Sequence, residues 1–136
     1  MVILIDVNVL LNYLLQREPG YKYAQFVLQK CAEDKVHGYM AFHSISILWY
    51  VLRRLPDSER RSILKNVLEI VKIAGASHDE VKNALDKIAF KDFEDCLQDA
   101  CATSVRADFL ITDNIKDFAN ASTEVISSED FYKRFA

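Results

Sequence analysis

Glycine and proline are scarce in this chain of 136 residues, with three of the first and two of the second. So little of either excludes linker-rich or low-complexity architecture, and it leaves no glycine-rich loop of the kind that cradles nucleotide phosphates. Cysteine is also sparse. Cys31, Cys96 and Cys101 are odd in number and lack C-x-x-C spacing, a pattern that fits a reducing compartment and three small buried hydrophobes. No apolar run approaches the roughly 20 residues of a membrane span. Met1-Val2-Ile3-Leu4-Ile5 lacks a basic leader and meets an acid at once, so it reads as a first strand and not as a signal peptide. Excess positive charge is missing as well. A net charge of -3 is the wrong sign for coating nucleic acid by charge alone. The densest basic patch, Arg53, Arg54, Arg60, Arg61 and Lys65 around Pro56, reads as a solvated helix face.

What is present is an ordinary globular composition, 51% apolar and 27% charged, which predicts one domain over residues 1–136 with a real core. Val2–Ile5 is a run apolar on both faces, as a buried parallel strand requires, and Val9, Leu10, Tyr13 and Leu14 follow at helical spacing up to Pro19-Gly20. A helix is expected over about Tyr21 to Asp34 and a strand over His37–Ala41. A helix capped by Ser44 should then run to about Leu55, where Pro56 stops it and Asp57 or Ser58 caps the next. Ile70–Ala74 reads as a strand, Ser77 as the cap of a helix through Val81, Leu85 and Ile88, and Asp95 to Val105 as another helix. Phe109–Thr112 and Val125-Ile126 complete the strands, and Ser127-Ser128-Glu129 opens a last helix. Such alternation predicts a three-layer α/β/α sandwich around a mostly parallel sheet.

Acids fall where apolar sequence stops. Asp6 follows the first strand, and an ionised carboxylate at its mouth must be hydrogen-bonded or metal-bound, since burial alone would cost several kcal/mol. Capping of the next helix by Asp6 or Asn8 accounts for the pattern equally well. Asp95 opens a late helix, where capping again suffices, and Asp99 lies one turn further on, so it either shares a cation with Asp95 or points to solvent. Asp92 and Glu94 lie in the same acidic connection as weaker candidates. Thr112-Asp113-Asn114 closes a strand, with Asp117 three residues later. In a parallel sheet these strand ends and helix starts converge on one crevice, which predicts a divalent-metal site. His37, His43 and His78 show no ligand spacing and read as capping or surface residues, with His43 nearest the site; Trp49-Tyr50 reads as core or subunit interface.

Taken together, Leu4-Ile5-Asp6-Val7-Asn8-Val9-Leu10, Asp92-Phe93-Glu94-Asp95 with Ala100-Cys101-Ala102, and Ile111-Thr112-Asp113-Asn114-Ile115-Lys116-Asp117-Phe118 resemble the PIN-domain family, which includes the toxin ribonucleases of bacterial VapBC toxin–antitoxin pairs. The resemblance implies a PIN-like fold and a metal-dependent endoribonuclease with Mg2+ or Mn2+ held by Asp6, Asp95, Asn114 and Asp117. Of these, Asp6, Asp95 and Asp117 would be catalytic, while Asn8, Thr112, Asp113 and Asp99 would orient the ligands or meet a phosphate. It further implies RNA as substrate, a small antitoxin protein as partner, a homodimer and a cytoplasmic location without membrane contact. One departure stands out. Ile47 falls where the family carries a glutamate, and no carboxylate lies between Asp34 and Asp57. This feature supports a rival expectation, a weak or inactive PIN-like domain that binds RNA or a partner protein without cutting.

Overall fold

Four apolar residues, Val2–Ile5, form β1, and its alternating side chains set the plan of the molecule. Ile3 and Ile5 point into one core and Leu4 into another, so the strand is covered on both faces. The computed structural model describes residues 1–136 and places β1 at the centre of a five-stranded, wholly parallel sheet. The other strands are β2 (His37–Ala41), β3 (Lys72–Ala74), β4 (Phe109–Ile111) and β5 (Val125–Ile126), in the order β3-β2-β1-β4-β5.

Parallel neighbours need crossovers, and here each of the first three carries two helices. They are α1 (Val7–Leu14) with α2 (Tyr21–Ala32), α3 (Ser44–Val51) with α4 (Asp57–Ile70), and α5 (His78–Leu85) with α6 (Phe93–Ser104). A 3-10 turn, Ile115–Phe118, joins β4 to β5, and α7 (Ser128–Phe135) closes the chain. Right-handed crossovers put helices on one face while the chain steps outward from β1 to β3, and on the other once it returns past β1 to β4. Accordingly α1 to α4 and α7 pack over Ile3, Ile5, Met40 and Ile111, whereas α5 and α6 cover Leu4, Ala41, Ala74 and Leu110. The expected three layers with a parallel sheet are therefore present. No helix is long and apolar enough to cross a membrane.

Local differences have simple causes. Helix α3 ends at Val51, not near Leu55, and the chain turns through Leu52, Arg53 and Arg54, because the residue before Pro56 is pushed out of the helical region. Ser44 is not its cap. His43 occupies that position, and the Ser44 hydroxyl is buried inside the first turn without a partner. Neither Asp57 nor Ser58 caps α4, whose cap position falls to Pro56. Ser77 caps α5 as expected, in a reciprocal pair with Glu80. The scarcity of glycine has a structural consequence too. Gln16, Asp34 and Arg106 take the left-handed conformation just past α1, α2 and α6 (φ 51°, 56° and 53°), positions where glycine would avoid a cost of about 1 kcal/mol.

Candidate active site

Strand order reverses between β1 and β4, and in open parallel sheets binding sites form at the carboxyl ends of the strands beside such a reversal. Asp6 is the first residue past β1, and its backbone N–H donates to the Ile111 carbonyl at 2.9 Å, locking it beside β4. Its carboxylate is buried yet well partnered. Thr112, the residue just past β4, donates its hydroxyl to Oδ2 at 2.7 Å, and Gln98 of α6 donates Nε2 to Oδ1 at 2.6 Å. Burial nevertheless dominates and holds the Asp6 carboxyl above the usual carboxylate range; the bonds from Gln98 and Thr112 pull it back in part, the Glu94 charge adds to the rise, and the Asn8 backbone N–H lowers it slightly. Asp6 does not cap α1 with its side chain.

The start of α6 delivers two further acids. Asp92, and not Asp95, caps this helix, accepting the Glu94 N–H at 2.9 Å. Glu94 and Asp95 are thereby free in the first turn, and the ligand atoms of Asp92, Glu94 and Asp95 lie within 4.8 Å of one another. Asp95 is pushed up to about 8, first by burial, then by its contact with Glu94 and by the charges of Glu94, Asp92 and Asp6. Glu94 moves the other way despite its burial, because His43 bonds to it and carries the opposite charge. The His43 Nε2 lies 2.9 Å from Glu94 Oε1. Burial opposes a proton on His43, but the Cys101 thiol and Glu94 beside it outweigh that effect and hold its pKa up at about 9. His43 thus pairs with Glu94, one of the three acids whose ligand atoms lie together.

The remaining predicted residues divide sharply. The Asn8 backbone N–H lies near enough to lower the Asp6 carboxyl, without forming a capping bond. Thr112 also accepts the Asn114 N–H at 3.0 Å, so one hydroxyl shapes both Asp6 and the turn after β4. Asn114 and Asp117 are exposed at that turn and lie outside the carboxylate group. Asp113 is engaged elsewhere, where it accepts from the Ser128 N–H and hydroxyl at 3.0 and 2.7 Å and from Asn12 Nδ2 at 3.2 Å, tying β4 to α7 and α1. Asp99 neither joins Asp95 nor points to solvent. It is 1% exposed and accepts the Ser122 and Thr123 N–H groups at 2.9 and 3.2 Å. Helix phase explains this, for Asp99 lies about 40° to one side of Asp95 and Gln98 about 60° to the other. Gln98 turns to Asp6, and Asp99 turns to the loop before β5. Ile47 packs against the larger core instead of facing the crevice, so α3 offers no carboxylate.

Sequence reasoning undervalued Glu94 and His43 and passed over Gln98. The spacing of Glu94, Asp95 and Gln98 on one helical side was the available signal. His43 stood out only as the histidine nearest the site, because its partner Glu94 lies 51 residues away.

Residues 2–116 match the family model of the PIN domain, and the chain belongs to that family. Ribonuclease VapC1 of Aquifex aeolicus (strain VF5) is 27% identical over 137 residues, covering 98% of this chain and 94% of that protein. Among solved structures, VapBC-1 from nontypeable Haemophilus influenzae superposes with a TM-score of 0.70 at 17% identity, over 95% of this chain and 99% of that one. VapC20 of Mycobacterium tuberculosis, a toxin that cleaves the sarcin-ricin loop, gives 0.65 at 16% identity over 89% and 95%. At such identities the structural likeness concerns the fold.

Proposed function

We propose that this PIN domain is an endoribonuclease that hydrolyses RNA phosphodiester bonds with a divalent ion, Mg2+ or Mn2+, held by Asp6 and Asp95. The observation that supports this reading is that the helix carrying Asp95 in its first turn reaches Asp6 at the end of β1, through Gln98 Nε2 donating to Asp6 Oδ1 at 2.6 Å. The donor set fits the ion, for it consists of carboxylate oxygens, the ligands that hard cations prefer, without a competing thiolate. A bound ion there would lower the pKa of a water and offset the charge developing on the phosphate. The protein's own groups do the rest. Thr112 and Gln98 fix both oxygens of Asp6, while burial holds the proton on Asp95, and a cation beside it would displace that proton. Asn114 and Asp117, exposed at the mouth, are placed in this reading as outer ligands or contacts to the entering RNA. A small antitoxin as partner, assembly as a homodimer and a cytoplasmic location belong to the same proposal. Support for the partner comes from the toxin–antitoxin complexes among the similar folds.

A second reading is favoured by one observation: with Ile47 in the core, α3 supplies no carboxylate, and the domain would then bind RNA or protein without cutting. RNA incubated with the protein separates the two. Cleavage is expected with Mg2+ or Mn2+ and is expected to disappear in excess chelator. Binding without cleavage under both conditions would favour the second reading, and cleavage unaffected by chelator would contradict the metal-dependent one.

A further inference from the structure

We propose that Lys87, Lys91 and Lys116 form a basic rim on the α6 side of the sheet and hold the phosphate backbone of RNA as it crosses the active site. The inference deepens the ribonuclease reading above and rests on it. No cation of the rim touches the ion or the reacting phosphate.

RNA meets an electrostatic obstacle here. The chain carries a net charge of -3, and Asp92, Glu94 and Asp95 gather at the start of α6, so a polyanion needs cations close by to approach them. The densest cations of the sequence lie elsewhere. Arg53, Arg54, Arg60, Arg61 and Lys65 belong to the corner between α3 and α4 and to α4 itself, which pack on the larger core, whereas Asp6 bonds to Gln98 of α6 in the opposite layer. Much of that charge is already engaged. Arg61 pairs with Asp57 at 2.7 Å, the Arg60 guanidinium lies 3.8 Å from the Trp49 ring centroid and donates to the Trp49 carbonyl at 3.1 Å, and that of Arg53 lies 4.3 Å from the Tyr50 ring centroid.

The fold assembles a second set of cations from segments far apart in sequence. Lys87 and Lys91 lie in the connection from α5 to α6, and Lys116 lies in the 3-10 turn after β4. Two features join these segments. Asn120 donates Nδ2 to the Ala89 carbonyl at 3.2 Å, and Phe90 and Phe118 both enter the smaller core, together with Cys96 of α6. Lys91 immediately precedes Asp92, the cap of α6, and Lys116 follows Asn114 by two residues, so both adjoin the site along the chain. Lys87 stands near α6 as well, since its charge partly offsets the rise that burial imposes on the Cys96 thiol.

All three lysines are exposed, and none forms an ion pair. Of the acids beside them in sequence, Asp92 accepts the Glu94 N–H as a cap, and Asp86 and Asp117 leave the ammonium groups unpaired. A compact charge on a flexible stem binds phosphate without fixed geometry, which suits a backbone held by charge and not read by sequence. The three lysines are positioning residues in this scheme.

Fluorescence anisotropy of a labelled single-stranded RNA, measured over a range of salt and in chelator so that no cleavage intervenes, tests the rim. Lys87→Gln, Lys91→Gln and Lys116→Gln combined are expected to reduce the slope of log affinity against log salt by about 2, at about 0.7 per phosphate contact, and to weaken binding at least about tenfold at low salt. Arg53→Gln, Arg54→Gln and Lys65→Gln combined remove the same charge from the opposite layer and are expected to keep the wild-type slope. With Mg2+ present, KM for the lysine variant should rise more than kcat falls. Circular dichroism melting shows that both variants fold. A wild-type slope in the folded lysine variant would overturn the rim and leave the ribonuclease reading intact, and equal losses in the two variants would overturn it too, by making binding a matter of net charge alone. Absence of RNA binding by the wild-type protein would likewise overturn the rim, and if cleavage with Mg2+ is absent as well, the ribonuclease reading falls with it.

Discussion

Asp6→Asn is expected to lower divalent-ion-dependent RNA cleavage by at least about 100-fold while leaving the fold intact. The side chain has the same shape, and the surrounding bonds can be remade. The oxygen of the introduced amide would accept from Gln98 Nε2, and its NH2 would face Thr112 Oγ1, which retains a free lone pair beside the bond from the Asn114 N–H. Removing the charge costs little stability, because burial already disfavours the ionised form of Asp6. What disappears is an anionic oxygen for the ion, and a neutral amide is a much weaker partner for a hard cation. Kinetics on a defined RNA, together with a melting curve, check both halves. Retention of more than a tenth of wild-type activity would show that Asp6 does not hold the ion. A collapse in melting temperature would show that its bonds to Thr112 and Gln98 are chiefly structural.

Two aspartates one helical turn apart should respond in opposite directions. Asp99→Ala is expected to destabilise the protein by about 2–3 kcal/mol, since it strands the Ser122 and Thr123 N–H groups that anchor the connection before β5. Asp95→Asn is expected to stabilise the metal-free protein by about 1–2 kcal/mol, because its carboxyl sits buried among Glu94, Asp92 and Asp6, all of which oppose its charge. For activity the order inverts. Asp95→Asn should abolish cleavage, whereas any Asp99→Ala protein that remains folded should keep its metal affinity. Urea unfolding of both variants, with and without Mn2+, measures this. Added Mn2+ should raise the stability of the wild-type protein and fail to do so for Asp95→Asn. If both substitutions destabilise alike, Asp95 is a structural acid like Asp99, and no cost of charge is stored at the site for an ion to relieve.

Much of this architecture was legible along the chain, for physical reasons. Val2–Ile5, His37–Ala41 and Val125–Ile126 form the strands that their apolar runs predict, and Pro56 and Ser77 mark helix boundaries through local backbone chemistry that needs no tertiary context. The convergence of strand ends followed from parallel topology. Side-chain commitments were harder to read, because they depend on helix phase and on partners distant in sequence. Asp95 and Asp99 look alike in the sequence, yet a rotation of about 40° sends one to the crevice and the other to the loop before β5. Gln98 reads as a neutral helix former until β1 brings Asp6 to it across 92 residues. Ser44 outranks His43 as a cap on intrinsic preference, but the chain gives His43 the boundary position and points its ring at Glu94. The absence of an acid at Ile47 was plain in the sequence, while the packing of Ile47 on the larger core depends on how α3 docks.

The most direct test is a crystal of the protein soaked in Mn2+ and measured for anomalous scattering. A single strong peak is predicted at the carboxyl end of β1, within about 2.0–2.6 Å of carboxylate oxygens of both Asp6 and Asp95. A peak bound elsewhere, or no peak at saturating Mn2+ with Asp6 still held by Thr112 and Gln98, would contradict the assignment of this crevice as a metal-dependent active site.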